Sequence, residues 1–155
     1  MLLLEIIAVG KVRPAWLKEG IDYYRKLTSK YARVEVTAIR DSGTAHLDRE
    51  RALSQESDNI VARLDDRAFV IALDERGKVY TSIEMAALLC DRQQKYSRFQ
   101  FIIGGAHGLA ASILHRADLR LSLSAMTLPH EMCQMILLEQ LYRALAINAG
   151  ASYHK

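Results

Sequence analysis

Short apolar runs alternate along this chain with longer stretches in which apolar residues recur every three or four positions. The runs at 2–9, 34–39, 69–73, 99–103 and 119–123 are rich in β-branched or aromatic residues and are bounded by glycine or charge, which predicts five strands. Between them, 14–27, 46–64, 82–96 and 109–117 carry apolar residues at helical spacing, Leu17, Ile21, Tyr24 and Leu27 marking the first. Thr81 followed by Glu84 is a capping-box pattern at the head of the third helix. Residues 130–148 form a final helix with apolar side chains on nearly every side. Strand and helix thus alternate through the whole chain. Near-continuous apolar strands need cover on both faces, so the pattern predicts an α/β fold with a largely parallel sheet flanked by helices, in a single domain over 1–155.

The pattern also predicts where a ligand sits. In parallel sheets ligands lie outside the carboxyl ends of the strands, against turns that expose backbone. The fourth strand runs straight into Gly104, Gly105 and Gly108, and glycines so close together mark a turn that approaches a ligand or takes positive φ. The fifth breaks into the small residues Ser122, Ser124, Ala125 and Thr127 before Pro129 and His130. A third candidate turn is Leu73-Asp-Glu-Arg-Gly77. None of these matches the dinucleotide G-x-G-x-x-G, the P-loop or the G-x-S-x-G elbow, which argues against those three chemistries.

Charge and composition add less. Half of the 155 residues are hydrophobic and a quarter charged, an ordinary globular balance that needs no staple. Cys90 and Cys133 lack ligand-spaced partners and read as reduced thiols, and the five histidines are too scattered for a metal site. No apolar run is long enough to span a membrane, and 2–9 is too short and strand-like for a signal sequence, so a soluble cytoplasmic protein is expected. The net charge of +3 is uneven. From Lys11 to Arg33 seven basic residues face two acidic ones, a local +5 that leaves the rest of the chain at −2 and makes Lys11, Arg13 and Arg25 candidates for contact with phosphate.

The last helix carries two further expectations. A helix apolar all round must be buried by something, and a second subunit is the expected cover. Glu139 and Arg143 stand four residues apart and face one way. They form either a structural ion pair or an arginine held by its glutamate for a phosphate or carboxylate.

Taken in order, Leu-Asp-Glu-Arg-Gly from Leu73, Ser82, Phe-Ile-Ile-Gly-Gly-Ala-His-Gly from Phe101, Leu-Ser-Leu-Ser-Ala-Met-Thr-Leu-Pro-His from Leu121, Glu-Gln-Leu-Tyr-Arg-Ala from Glu139 and the Tyr153-His154 tail resemble the RlmH (YbeA) family. Its members are SPOUT-class methyltransferases of large-subunit ribosomal RNA. The resemblance covers the whole chain and implies a C-terminal trefoil knot, a homodimer, and S-adenosylmethionine bound without metal against Leu73, Gly104, Gly105 and the segment Ser124, Ala125, Met126, Thr127, Leu128 and Pro129. It also implies methylation of N3 of a pseudouridine in a 23S rRNA stem-loop at the subunit interface, on assembled 70S ribosomes. In that chemistry Arg143, oriented by Glu139, would favour the N3 anion or anchor phosphate, His130 or His154 would accept the proton, and Tyr153 would help to hold the RNA. For His130 a role as N-cap or hinge after Pro129 stays open. Two other readings stay open beside this one: an RNA-binding module of the same fold without transfer activity, and a small-molecule enzyme. The chain departs from the family pattern at Gln134, where many relatives carry arginine, and in the tail, where Ala151 and Ser152 precede Tyr153.

Overall fold

The computed structural model describes residues 1–42 and 48–154. Strands and helices alternate there as β1 (Leu3–Val9), α1 (Ala15–Thr28), β2 (Arg33–Ile39), α2 (Arg49–Val61), β3 (Phe69–Val79), α3 (Ser82–Arg92), β4 (Arg98–Ile103), α4 (Ala111–Arg116), β5 (Leu119–Ser122) and α5 (His130–Asn148). The first two residues expected in α2, His46 and Leu47, lie outside the described residues. All four strand pairings are parallel, in the order β2-β1-β4-β3-β5. Alternate side chains of each strand point to opposite faces, and both faces are covered. Leu4, Ile6, Phe99 and Phe101 pack under α1, α3 and α5, while Ile7, Val9, Val70 and Ile102 pack against Ile60 of α2 and Ile113 of α4. Each such fully buried side chain contributes roughly 1.5–3 kcal/mol, so the two layers of helices hold the sheet from both sides.

Local chemistry sets the ends of the helices that matter for the site. At α3 the capping box is complete: the Glu84 N–H donates to Thr81 Oγ1 at 3.2 Å and the Thr81 N–H to Glu84 Oε2 at 2.7 Å. At the far end of α5, Gly150 takes φ +69°, the Gly150 N–H reaches the Ile147 carbonyl at 3.0 Å and the Ala151 N–H the Ala146 carbonyl at 2.9 Å. This left-handed cap turns the tail back along α5.

Two expectations change. Residues 73–77 are not a turn that ends β3. The ladder to β5 is interrupted between Leu73 and Lys78, both of which face Leu121, so Asp74, Glu75, Arg76 and Gly77 form a bulge inside a strand that continues to Val79. The cover of α5 is also different. Gln134, Leu137, Leu138, Leu141, Ala144, Leu145 and Ala146 are buried within the chain itself, between α1 and α3, and the opposite face, with Met132, Ile136, Arg143 and Ile147, is left half-exposed. The helix is apolar all round because three of its sides meet protein in its own chain, not because a second subunit covers every side.

Candidate cofactor and substrate site

Because all five strands run the same way, their carboxyl ends lie on one edge of the sheet, and three loops meet there. The β3 bulge, the glycine turn after β4 and the segment after β5 enclose a cavity of about 150 Å³ lined by Leu73, Asp74, Glu75, Ile103, Gly104, Gly108, Leu121, Ser122, Leu123, Ser124, Met126, Thr127, Leu128, His130 and Cys133. The glycine turn is closed on itself. Gly105 and Gly108 form an antiparallel bridge, with the Gly108 N–H donating to the Gly105 carbonyl at 3.0 Å. Gly108 takes φ +72°, and a Cβ on Gly104 would stand 2.5 Å from the Gly108 carbonyl oxygen, so no side chain fits at Gly104. The serines after β5 serve the loop itself: Ser122 Oγ donates to the Ser124 carbonyl at 2.9 Å, and the Met126 N–H donates to Ser124 Oγ at 2.9 Å.

Six of the nine residues expected at the cofactor line the cavity, Leu73, Gly104, Ser124, Met126, Thr127 and Leu128, and His130, expected as a catalytic group, lines it as well. Gly105 and Pro129 instead line a larger groove of about 720 Å³ beside it, and Ala125 is exposed. Asp74, Glu75 and Cys133 were not singled out from the sequence. The first two belong to the Leu-Asp-Glu-Arg-Gly motif and could have been. Cys133 could not, since only the position of α5 brings it to the cavity. Burial pushes its thiol above the ordinary range, while Cys90 is exposed. Alkylation of Cys133 should therefore be slower than that of Cys90, and a ligand in the cavity should slow it further; peptide mass spectrometry after timed iodoacetamide treatment, with and without S-adenosylmethionine, reads both.

A second cluster gathers on the outer face of α5. Glu139 Oε1 accepts from Arg143 Nε at 3.0 Å, Arg143 Nη2 at 2.5 Å and the Tyr153 hydroxyl at 3.0 Å, while Oε2 accepts from Gln140 Nε2 at 2.7 Å. Gln140 in turn accepts from Ser82 Oγ at 2.7 Å, which ties α3 to the same network. The Arg143 guanidinium lies over the Tyr153 ring, 4.6 Å from its centre, with Nη1 3.4 Å from His154 Nδ1. The hydrogen bonds it donates to Glu139 raise the pKa of Arg143 further, and burial followed by the bond to Glu139 raises that of the Tyr153 phenol well above its usual range. Both therefore stay protonated at neutral pH, so neither is a base. Arg143, Glu139, Tyr153 and His154 thus come together as expected. They do not meet the cavity in the same chain, because the 13 residues of helix from His130 to Arg143 span about 20 Å.

Comparison with known proteins places this architecture. A family model described as "Predicted SPOUT methyltransferase" matches residues 2–154. The chain is 41% identical to "Ribosomal RNA large subunit methyltransferase H" of Carboxydothermus hydrogenoformans, over 98% of this chain and 99% of that one. The chain belongs to the SPOUT methyltransferase family. The protein of the same name from Streptococcus equi subsp. equi is 38% identical over the same shares, and that from Bifidobacterium animalis subsp. lactis 41%. Among solved structures, a probable methyltransferase from Bordetella pertussis Tohama I superposes with a TM-score of 0.59 at 14% identity, over 92% of this chain and 93% of that one. A probable methylase family protein from Haemophilus influenzae Rd KW20 superposes with a TM-score of 0.56 at 15% identity, over 99% and 70%. These two share the fold.

The basic residues expected to hold substrate are spread more widely in this SPOUT chain. Lys11 lines a narrow cleft with His130, Glu131 and Gln134, so it approaches the mouth of the cavity from the β1 side. Gln134, the residue that departs from the family pattern, is buried in that cleft. Arg13 is exposed, and Arg25 pairs with Asp22 at 3.6 Å on the surface of α1. Among the described residues no three His, Cys, Asp or Glu side chains cluster as metal ligands would, and no helix is long and apolar enough to cross a membrane.

Proposed function

We propose that this SPOUT family member transfers a methyl group from S-adenosylmethionine to N3 of a pseudouridine in 23S rRNA of the assembled ribosome, as a cytoplasmic homodimer. The observation that carries the reading is the meeting of the β3 bulge, the closed glycine turn and the serine-shaped segment around one cavity, in a chain that is about 40% identical, end to end, to proteins named for large-subunit rRNA methylation. The cavity suits the cofactor. Leu73, Ile103, Leu121, Leu123 and Leu128 offer apolar walls to an adenine ring, Gly104 offers bare backbone, and Asp74 and Glu75 offer carboxylates to cationic groups. When bound, S-adenosylmethionine supplies a methyl group on a sulfonium, open to in-line attack. His130, which lines the cavity, or His154, beside Arg143 of the second copy, takes the N3 proton. A trefoil knot goes with this reading, and the return of the chain from the edge strand β5 to α5, between α1 and α3, supports it.

The homodimer is supported by the half-exposed face of α5 and by the 20 Å of helix between its two clusters. A second copy supplies Arg143 to the cavity of the first, held rigid by Glu139 and Tyr153. Arg143→Ala should leave cofactor affinity and fold intact while methyl transfer falls by about a hundredfold, the scale of one preorganised electrostatic contact, and Arg143→Lys should restore little of it. Mixing Arg143→Ala with His130→Ala protein should recover about a quarter of normal activity, because half of the dimers then carry one intact site. Near-normal transfer by Arg143→Ala leaves Glu139 and Arg143 as a structural pair.

The direct test is incubation of the protein with tritiated S-adenosylmethionine and ribosomes from cells lacking the modification, followed by mass spectrometry of the digested nucleosides. Label in large-subunit RNA, on an N3-methylpseudouridine, is the expected result. Binding to ribosomes without label would make the protein an RNA-binding module, and label in a small molecule alone would make it a different enzyme.

A further inference from the structure

The larger groove beside the cavity is lined by three arginines from three elements: Arg49 at the start of α2, Arg76 in the β3 bulge and Arg120 in β5. Among the described residues eight other arginines are in ion pairs, and none of these three is. Asp74 lies two residues from Arg76, yet its Oδ1 accepts the backbone N–H of Arg76 at 3.1 Å and leaves the guanidinium free. Arg120 makes one long contact, Nε to the Leu114 carbonyl at 3.4 Å. The backbone is arranged to bring two of them together. A Cβ at Gly77 would stand 2.7 Å from the Arg120 carbonyl carbon, so only glycine lets the bulge lie directly on the β5 backbone, where Arg76 and Arg120 line the same groove.

The groove is also joined to the cavity. Leu73, Asp74, Glu75, Gly108, Leu128 and His130 wall both, so a chain lying in the groove passes the cavity mouth at His130. Asp74 and Glu75 reduce the positive charge of the groove, but they also face the cavity, where a cationic ligand offsets them. Exposed guanidinium groups without carboxylate partners, contributed by three elements along one groove of about 720 Å³, fit phosphate oxygens of an extended strand. We propose that this groove holds the sugar-phosphate backbone that flanks the target nucleotide, with Arg49, Arg76 and Arg120 as its phosphate contacts. The proposal rests on the reading of the protein as an RNA methyltransferase and assigns it an RNA track distinct from the basic surface of α1.

The test uses the intact protein and ribosomes lacking the modification as the probe, with the triple variant Arg49→Gln, Arg76→Gln, Arg120→Gln. Its KM for ribosomes should rise at least about tenfold while kcat stays within about twofold, because the arginines hold RNA and do not touch the reacting atoms. The slope of log affinity against log salt should become shallower by roughly 0.7–0.9 for each contact removed. Calorimetry should give an unchanged affinity for S-adenosylmethionine. All three side chains are exposed, and the single variants Arg76→Gln and Arg120→Gln, each expected to lose one step of the slope, carry the test should the triple variant fold poorly. Unchanged KM and salt slope in variants of an active wild type overturn the groove alone, as does a loss confined to cofactor affinity. A wild type that transfers no methyl group to ribosomes overturns the methyltransferase reading, and the groove with it.

Discussion

Gly104→Ala should lower the affinity for S-adenosylmethionine by at least about a hundredfold, or roughly 2.7 kcal/mol, in a protein that still folds. The added Cβ would stand 2.5 Å from the oxygen, 2.6 Å from the carbonyl carbon and 3.1 Å from the Cα of Gly108. All three are backbone atoms and cannot rotate away. On one side Gly104 is anchored by the buried end of β4, so the strain falls on the turn, which must open and break the bridge between Gly105 and Gly108. Gly108 lines the cavity, so opening the turn rebuilds its wall. The neighbouring glycines give a graded control. Alanine at Gly108 meets nothing within 4 Å but must hold φ +72°, a strain of about 1–2 kcal/mol. Alanine at Gly105 meets Val9 Cγ1 at 3.0 Å, a side chain that can shift, and should have the smallest effect. Calorimetry on the three variants, with melting curves to establish folding, checks the order. Wild-type affinity in folded Gly104→Ala would remove the glycine turn from the cofactor site.

Leu141→Glu should prevent folding altogether. Leu141 is fully buried on the inner face of α5, among Leu137, Leu138, Ala144 and Leu145, in the core shared with α1, α3 and the sheet. A carboxylate there has no partner and no water, a cost of several kcal/mol added to the lost apolar burial, and the whole stability of such a domain is about 5–15 kcal/mol. Ile136→Glu separates this from an effect on assembly. Ile136 lies on the outer, half-exposed face of the same helix, so its variant should keep the fold and lose the dimer. Circular dichroism and sedimentation at micromolar concentration distinguish the two outcomes. A folded Leu141→Glu monomer would contradict the internal burial of α5, and a wild type that sediments as a monomer would contradict the homodimer.

The alternation of strands and helices, their order and the all-parallel sheet follow from the sequence, because β-branched runs flanked by amphipathic stretches have few other ways to bury both faces. The α5 boundaries, His130 and Asn148, follow too, since Pro129 and Gly150 punctuate them. The glycine turn and the small residues after β5 were legible as parts of one site because such residues have little other reason to gather at strand ends. Contacts between distant elements were not legible. Asp74, Glu75, Arg76 and Gly77 read as a turn, since nothing local announces that β3 resumes at Lys78; the second register on Leu121 exists only once β5 lies alongside. Arg49, Arg76 and Arg120 are 27 and 44 residues apart in the chain, and only the packing of α2, the bulge and β5 around one groove gives them a common address. Glu139 and Arg143 were expected to pair from their helical spacing, but Tyr153 and His154 join them through the turn at Gly150, a long-range consequence of a local cap. Periodicity records which face of an element is buried. It does not record what lies against that face, and the separation of Arg143 from the cavity by about 20 Å of rigid helix is decided by tertiary structure alone.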